Sequence, residues 1–286
     1  SLLTEAKETA GTELADALLI SGKIEREKRV KEIHDSLKKE LLEKHEDMTD
    51  EEFRSAFDDL EIETVRTNLL EKGKRIDGRS MDDVRPLNAQ VGLLPRSHGS
   101  ALFDRGETQA LATVTLGTKS DKQNLDAVTG GIEEKAFMLH YNFPPYCVGE
   151  CGRLGFTSRR EIGHGALAER SLLEVVPQNY PYTIRLVSDI MGSNGSSSMA
   201  SICSGTLAMM DAGIPITAPV AGISIGLFSD SERAELVTDI IGSEDHCGDM
   251  DFKVAGTRKG ITGYQVDLKI KGLRWDLVEG AFEKAN

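Results

Sequence analysis

YTIRLVSDIMGSNGSSSMASICSGTLAMMDA, residues 182–212, joins a strand pattern to a helix pattern through a serine-rich turn. Residues 182–188 are rich in β-branched and aromatic side chains, which are typical of a strand. Residues 197–212 form a run of small and apolar side chains long enough for a buried helix. A strand that runs through a short turn into a helix indicates a domain that mixes both element types.

The sequence on either side of this stretch follows the same pattern. Glycine is frequent after Lys74, and short β-type runs alternate with helical candidates, an order that predicts a mixed α/β (α+β) domain. The other predicted strands are Ser100–Phe103, Thr108–Thr115, Ala136–Tyr141, Val220–Leu227 and Tyr264–Ile270, and the other predicted helices are Glu161–Val175 and Trp275–Ala285.

Residues 1–74 have a helical period instead. Apolar side chains at helical spacing predict a helix from Glu13 to about Leu42, with a break at Gly22. The run Thr49–Glu52 has the spacing of a capping box, and the helix that follows it is expected to end before Gly73. We therefore predict an all-helical region over 1–74 and a mixed domain over 75–286.

Composition and charge restrict the class of protein. The 286 residues are 39% hydrophobic and 28% charged with a net charge of −13, values typical of a folded globular protein. The acidic total argues against non-specific nucleic-acid binding, although a local basic groove would be sufficient for it. The sequence has no apolar run of membrane-spanning length and no secretory leader, and its four cysteines do not form a disulfide framework. We expect a cytoplasmic protein that does not enter a membrane.

The serine turn is the first candidate site. Ser196, Ser197 and Ser198 stand where a helix begins, and the free amides of a helix start attract anions. Three consecutive hydroxyl groups supply more donors than a helix cap requires. An ordinary serine-rich cap is the alternative, and a Walker loop is excluded because no Gly-Lys-Ser/Thr follows.

The second candidate site is DHCGDMDFKVAGT, residues 245–257. Apolar and charged side chains alternate, so one strand face would carry Asp251 and Lys253, while Asp245 would come from the loop before the strand. Carboxylates beside a lysine suit Mg²⁺ next to a phosphate. A solvated strand face is the alternative, and a zinc site that uses the nearby cysteines has atypical spacing.

The third candidate site is RREIGHG, residues 159–165, with Arg153 and the aromatic segment HYNFPPY (140–146) before it. The guanidinium groups of Arg159 and Arg160 match phosphate oxygens, and flanking aromatic rings could stack on bases. His164 lies four residues after Arg160 and therefore on the same helix face. A solvated arginine pair and a buried structural histidine are the alternatives.

These segments, in this order, resemble the second core domain of polynucleotide phosphorylases (polyribonucleotide nucleotidyltransferases). The resemblance is also carried by RIDGR (75–79), PRSHGSALF (95–103), RGETQA (105–110) and MDAGIPI (210–216). It covers essentially all of 75–286, whereas 1–74 resembles the interdomain helical region of the family more loosely. It implies a ribonuclease PH-type core.

The resemblance also implies an activity, in which phosphate attacks the 3′ end of single-stranded RNA and releases nucleoside diphosphates, reversibly. It implies that Ser197 and Ser198 bind phosphate, that Asp245 and Asp251 bind Mg²⁺ or Mn²⁺, and that Lys253 is an active-site lysine. Arg159, Arg160 and His164 would lie near the RNA end. An anionic nucleophile that attacks a phosphodiester needs neutralised charge and alignment more than a general base.

The family architecture leaves the activity of this chain open. The resemblance implies a homotrimer, a role in mRNA degradation with RNA-degradation complexes as partners, and a bacterial or organellar source. The first core domain and the C-terminal RNA-binding domains of the family are missing, so the chain could be an inactive ring-forming interaction module. A hydrolytic metal-dependent ribonuclease is a third hypothesis, which the serine turn disfavours because water as nucleophile needs no anion site.

Overall fold

The computed structural model describes residues 1–126 and 132–286. Three helices open the chain: α1 spans Leu2–Ala17, α2 spans Lys23–Lys44 and α3 spans Asp50–Leu70. The capping box before α3 is formed, because the Thr49 hydroxyl accepts from the Glu52 amide at 3.2 Å and the Glu52 carboxylate accepts from the Thr49 amide at 2.9 Å. The predicted start of the first helix at Glu13 was wrong, since α1 begins at Leu2. The predicted break at Gly22 is the interval between α1 and α2.

The remainder of the chain mixes strands and helices, as the sequence predicts. The helices are α4 (Arg159–Leu173), α5 (Ser197–Asp211), α6 (Gly242–Cys247) and α7 (Trp275–Ala285), and a 3-10 turn lies at Pro145–Val148. The strands are β1 (Leu87–Val91), β2 (Gly99–Arg105), β3 (Thr108–Gly117), β4 (Gln123–Asp126), β5 (Ile132–Lys135), β6 (Phe137–Asn142), β7 (Thr183–Gly192), β8 (Ala221–Ser229), β9 (Ala234–Thr238), β10 (Met250–Thr257) and β11 (Gly260–Leu268).

Two sheets enclose the apolar helix predicted over 197–212. The first sheet has the order β1-β2-β3-β7-β6, in which only β6 and β7 are parallel. The second sheet has the order β11-β10-β8-β9 and is antiparallel, and β4 and β5 form a separate two-stranded sheet. Helix α5 packs against strands of both sheets. Side chains on most of its faces are therefore buried. Helix α5 also contacts β10.

The helical region and the mixed region share apolar packing. Side chains of α1, α2 and α3 belong to one cluster with Phe228, Val237, Ile240 and Ile241, which come from β8, β9 and the segment before α6. A region predicted from its helical period alone is thus packed onto the second sheet. In the described ranges, no helix combines the length and the apolar composition that crossing a membrane requires.

Candidate active site

The serine turn lies at the start of α5 and is buried. Ser197 and Ser198 have no exposed surface and Ser196 is 7% exposed. Ser196 is the N-cap residue of α5, but its side chain makes no capping hydrogen bond. A conventional serine cap, the alternative drawn from the sequence, does not account for this arrangement.

A buried charge cluster contacts the backbone of the serine turn. The carboxylate of Asp239, which is fully buried, accepts hydrogen bonds from the backbone and the guanidinium of Arg85 at 2.8 to 3.0 Å and lies 2.7 Å from Nε of Arg105. Arg105 donates to the Ser196 carbonyl at 2.7 Å, and Arg85 donates to the Asn194 carbonyl at 2.5 Å. Burial alone would raise the pKa of Asp239, but the two arginines outweigh it and lower the pKa to about 2. The backbone of the turn is therefore held by an ion cluster.

Glycine is required at one point of this turn. Gly195 has a φ of +111°, and a Cβ there would lie 2.5 Å from the carbonyl oxygen of Ile240 and 3.0 Å from the Arg85 guanidinium. Any larger residue would push the turn away from the charge cluster.

Asp251 and Lys253 lie side by side on β10, as the alternating pattern predicts. The Lys253 ammonium is 2.7 Å from the Asp251 carboxylate, and both residues are 7% exposed. The alternative of a solvated strand face was therefore wrong. Burial, followed by the negative charges of Asp245 and Asp267, raises the pKa of Asp251 although Lys253 opposes the shift. Oδ1 of Asp251 is buried with no hydrogen-bond partner among the described residues.

Asp245 lies on the short helix α6 and not on a loop, which corrects the expectation from the sequence. It is half-buried, and it is near enough to Asp251 to raise the pKa of that carboxyl. Helix α6 is held by residues of two irregular segments outside it. The buried Glu244 carboxylate accepts from Arg75 at 2.7 and 2.8 Å, and Lys269 donates to the carbonyl groups of Asp245 and His246.

Helix α4 presents two exposed arginines and one half-buried histidine. The Arg160 guanidinium lies 4.7 Å from the centre of the Phe143 ring, and Arg159 occupies the first position of the helix. Burial, and then the charges of Lys253 and Arg160, lower the pKa of His164 to about 4, so its ring is neutral near pH 7. Arg153 is exposed in the irregular segment before α4 and has no described contact with the other candidate residues.

Tyr141 joins α4 to the serine turn, whereas the sequence indicated it only as one of the aromatic rings of residues 140–146 that could stack on bases. Its hydroxyl is 2.7 Å from Oγ of Ser197 and 3.4 Å from Nδ1 of His164. Burial raises the pKa of Tyr141, so the phenol keeps its proton. The residue is 4% exposed and cannot stack on a base, in contrast to the exposed Tyr146. Its position as the fifth residue of a strand gave no sign of a polar role.

Comparisons with known proteins identify relatives of this chain. Residues 1–80 match the model of the polyribonucleotide nucleotidyltransferase RNA-binding domain, and residues 83–215 match that of the 3′ exoribonuclease family, domain 1. The chain is 58% identical over 245 residues to a polyribonucleotide nucleotidyltransferase of Opitutus terrae, covering 83% of this chain and 34% of that protein. It is 51% identical over 282 residues to that of Methylacidiphilum infernorum, covering 96% and 40% of the two.

The chain belongs to the polyribonucleotide nucleotidyltransferase family. It spans 34% to 40% of the length of these two curated relatives. In the solved structures, rice Rrp46 aligns with a TM-score of 0.57 at 19% identity, covering 73% of this chain and 92% of the other. That likeness confirms the ribonuclease PH-type fold predicted for the mixed domain.

A divalent cation fits the donor set of this member of the polyribonucleotide nucleotidyltransferase family. The unpartnered oxygen of Asp251 is buried close to the negative charge of Asp245, and a bound cation would relieve that repulsion. Carboxylate oxygens of this kind suit Mg²⁺, which keeps part of its water shell. In the described part of the chain, three or more His, Cys, Asp or Glu side chains do not converge on one metal position, so neither a zinc site nor a cation held by more than two such side chains is supported.

Proposed function

We propose that this chain carries the phosphate and RNA-end site of a phosphorolytic 3′-to-5′ exoribonuclease and nucleotidyltransferase. Phosphate would attack the terminal phosphodiester of single-stranded RNA, the bond to the preceding 3′ oxygen would break, and a nucleoside diphosphate would leave. The reverse reaction would extend the RNA. The observation that carries the proposal is the buried serine turn, which is joined through Tyr141 and His164 to the side of the site that holds Lys253 and Asp251.

The serine turn supports the choice of phosphate as nucleophile. At the first turn of α5, backbone amides and the hydroxyl groups of Ser196, Ser197 and Ser198 lie together in a buried site. Donors that are fixed before the reaction stabilise an anion without further reorganisation. A site for water as nucleophile would not need them, so phosphorolysis is favoured over hydrolysis.

The charged residues around the turn support the rest of the chemistry. Lys253 would neutralise phosphate oxygens, while the exposed Arg159 and Arg160, together with Arg153, would bind the RNA backbone near its 3′ end. Asp245 and Asp251 would hold Mg²⁺ or, in its place, Mn²⁺, which would polarise the reacting phosphoryl oxygens. His164 is neutral and would serve as a hydrogen-bonding group rather than as a cation.

The larger context is proposed on the same basis. Residues 1–74 would form the all-helical interdomain region and residues 75–286 the second core domain of a homotrimeric enzyme. We place that enzyme in the cytoplasm of a bacterium or in an organelle, where it would act in mRNA degradation with other RNA-degrading proteins. A ring-forming module without activity remains the alternative, and the buried Asp251–Lys253 pair argues against it, because a purely structural site has no need of that pair.

The test is the phosphate dependence of RNA loss in the complete protein that carries this chain. We expect 3′ shortening only with added phosphate and with nucleoside diphosphates as products. Monophosphates formed without phosphate would indicate hydrolysis, and RNA binding without shortening would indicate an interaction module.

A paired variant tests the phosphate site itself. Ser197→Ala with Ser198→Ala removes two hydroxyl donors, and loss of one such donor in other enzymes lowers the rate by about 10²–10³-fold. We expect at least that loss in kcat/KM for phosphate, with RNA binding retained. Ser231→Ala in the exposed turn before β9 is the control and should leave both unchanged. A normal KM for phosphate and normal turnover in the paired variant would remove the serine turn from the proposal.

A further inference from the structure

Among the described residues, the Ser197 hydroxyl has one side-chain hydrogen-bond partner, and that partner decides what the serine can offer to an anion. Its Oγ has no exposed surface and lies 2.7 Å from the Tyr141 hydroxyl, at a distance where either group can donate. A serine hydroxyl carries a single proton. If Ser197 donates that proton to Tyr141, it presents only lone pairs to a phosphate, which itself accepts hydrogen bonds.

The Tyr141 hydroxyl can likewise donate its proton to either of two partners. Its hydroxyl is also 3.4 Å from Nδ1 of His164, and the histidine ring meets the tyrosine ring edge to face at 5.5 Å. The phenol has one proton as well, so it can donate to Ser197 only if it does not donate to His164. The three side chains therefore have two possible arrangements. Either His164 donates to Tyr141 and Tyr141 donates to Ser197, or Ser197 donates to Tyr141 and Tyr141 donates to His164.

We propose that Tyr141 is a positioning residue for phosphate: it donates to Ser197 and accepts from Nδ1 of His164, so that the Ser197 proton is free to point at the anion. This inference rests on the proposed function, because it assumes that Ser197 binds phosphate. A bound phosphate accepts hydrogen bonds and therefore stabilises the arrangement in which Ser197 donates its proton to the phosphate.

These hydrogen bonds also connect the proposed phosphate site to α4, which carries the proposed RNA-binding arginines. Tyr141 lies on β6, Ser197 on α5 and His164 on α4, the helix that presents Arg159 and Arg160. A displacement of α4 would thus change the strength of the phosphate site through hydrogen bonds alone. The burial of Tyr141 keeps water from replacing either partner.

The experiment is Tyr141→Phe in the complete protein, with phosphorolysis measured against phosphate and RNA separately. We expect the KM for inorganic phosphate to rise about ten-fold, the ratio that corresponds to one lost hydrogen bond in a buried site. The KM for RNA and kcat at saturating phosphate should change by less than two-fold. A role in packing alone would instead lower the melting temperature, raise both KM values and lower kcat together.

Tyr180→Phe is the matched control. Tyr180 packs against the same hydrophobic cluster as Tyr141 and loses the same hydroxyl, but it does not touch the serine turn. Its KM for phosphate should remain that of the unaltered protein.

A double-mutant cycle tests the shared direction. His164→Ala should raise the KM for phosphate by itself, and the combination with Tyr141→Phe should have the same KM for phosphate as Tyr141→Phe alone, because both act through one chain of hydrogen bonds. Additive effects would overturn the inference. If Ser197→Ala raises the KM for phosphate but Tyr141→Phe does not, the inference about Tyr141 is wrong. If neither variant changes the KM for phosphate, the proposed phosphate site itself is wrong.

Discussion

Asp239 shows how much of the site depends on a residue that touches no substrate. It has a φ of +52°, the only positive value outside glycine in the described residues, and its carboxylate holds Arg85 and Arg105 under the serine turn. Asparagine tolerates left-handed backbone, so Asp239→Asn removes the charge without adding backbone strain. The two arginines would remain buried without their counter-ion.

We expect Asp239→Asn to lower the free energy of unfolding by about 3–5 kcal/mol, the usual cost of removing one partner from a buried ion pair. Urea denaturation at neutral pH measures it. Asp82→Asn is the control, because Asp82 is paired with Lys284 at the surface and its loss should leave the midpoint nearly unchanged. Equal midpoints for the two variants would contradict the role assigned to the cluster.

The same residue predicts a pH dependence. The pKa of Asp239 is about 2 in the folded chain, below the ordinary aspartate value, so the unfolded chain binds more protons between about pH 4 and pH 2. The stability that Asp239 contributes is therefore complete above pH 4 and is lost as the pH falls through this window. Asp239→Asn should lack this part of the acid-induced loss, which urea titrations at a series of pH values would reveal.

At the scale of elements, α3 acts on the carboxylate site from outside the mixed domain. Arg66 of α3 donates to both carboxylate oxygens of Asp249 at 2.8 and 3.1 Å and to the Cys247 carbonyl at 3.1 Å. These two residues connect α6, which carries Asp245, to β10, which carries Asp251. The helical region thus contacts the segment that joins the two proposed metal-binding aspartates.

We expect Arg66→Ala to raise the Mg²⁺ concentration needed for half-maximal phosphorolysis by about ten-fold, the lower end of the effect of outer-shell residues in metal sites. The assay is a Mg²⁺ titration of the complete protein. Arg54→Ala, an exposed arginine on the same helix, should leave the titration unchanged. If both variants gave the unaltered curve, the helical region would have no influence on the site.

Local patterns predicted the elements with their own periodicity. The strand-turn-helix stretch corresponds to β7 and α5, and the apolar stripe of α3 is buried as its spacing indicates. The strands β1, β4, β5 and β9 were missed. All five residues of β1 are exposed, so it has no buried face to produce an alternating pattern.

The site residues were only partly accessible to the same reasoning. Asp251 and Lys253 share a strand face, and alternation is enough to place them together. The Tyr141–Ser197 contact spans 56 residues of sequence, and the pairing of Arg85 and Arg105 with Asp239 depends on how two sheets pack around α5. No local pattern encodes contacts of that range. Charge and spacing made Asp245, Arg159 and Arg160 candidates, and the family resemblance supplied their specific roles.

For the whole molecule, the shared apolar cluster predicts joint unfolding. Helices α1 to α3 are packed with Phe228, Val237 and Ile240 of the mixed region, and the buried Arg75–Glu244 pair reinforces the contact. We expect one calorimetric transition for this chain, with equal calorimetric and van't Hoff enthalpies. Two separate transitions, or a segment 75–286 as stable as the whole chain, would show that the helical region is an independent unit.

RNA binding to this chain works against a net charge of −13. Its overall field repels a polyanion, so attraction must come from a few local cations, and the exposed Arg159 and Arg160 stand at the rim of the proposed site. Each phosphate contact on a single strand contributes about 0.7 to the slope of log affinity against log salt concentration.

We expect Arg159→Ala and Arg160→Ala each to reduce the slope by about that amount, equally for RNAs of different sequence. Fluorescence anisotropy at several salt concentrations would measure it, with Arg170→Ala near the other end of α4 as the control. Because the slope counts released ions, it separates a lost phosphate contact from a general weakening of the fold, and unchanged slopes in both variants would place the RNA backbone elsewhere.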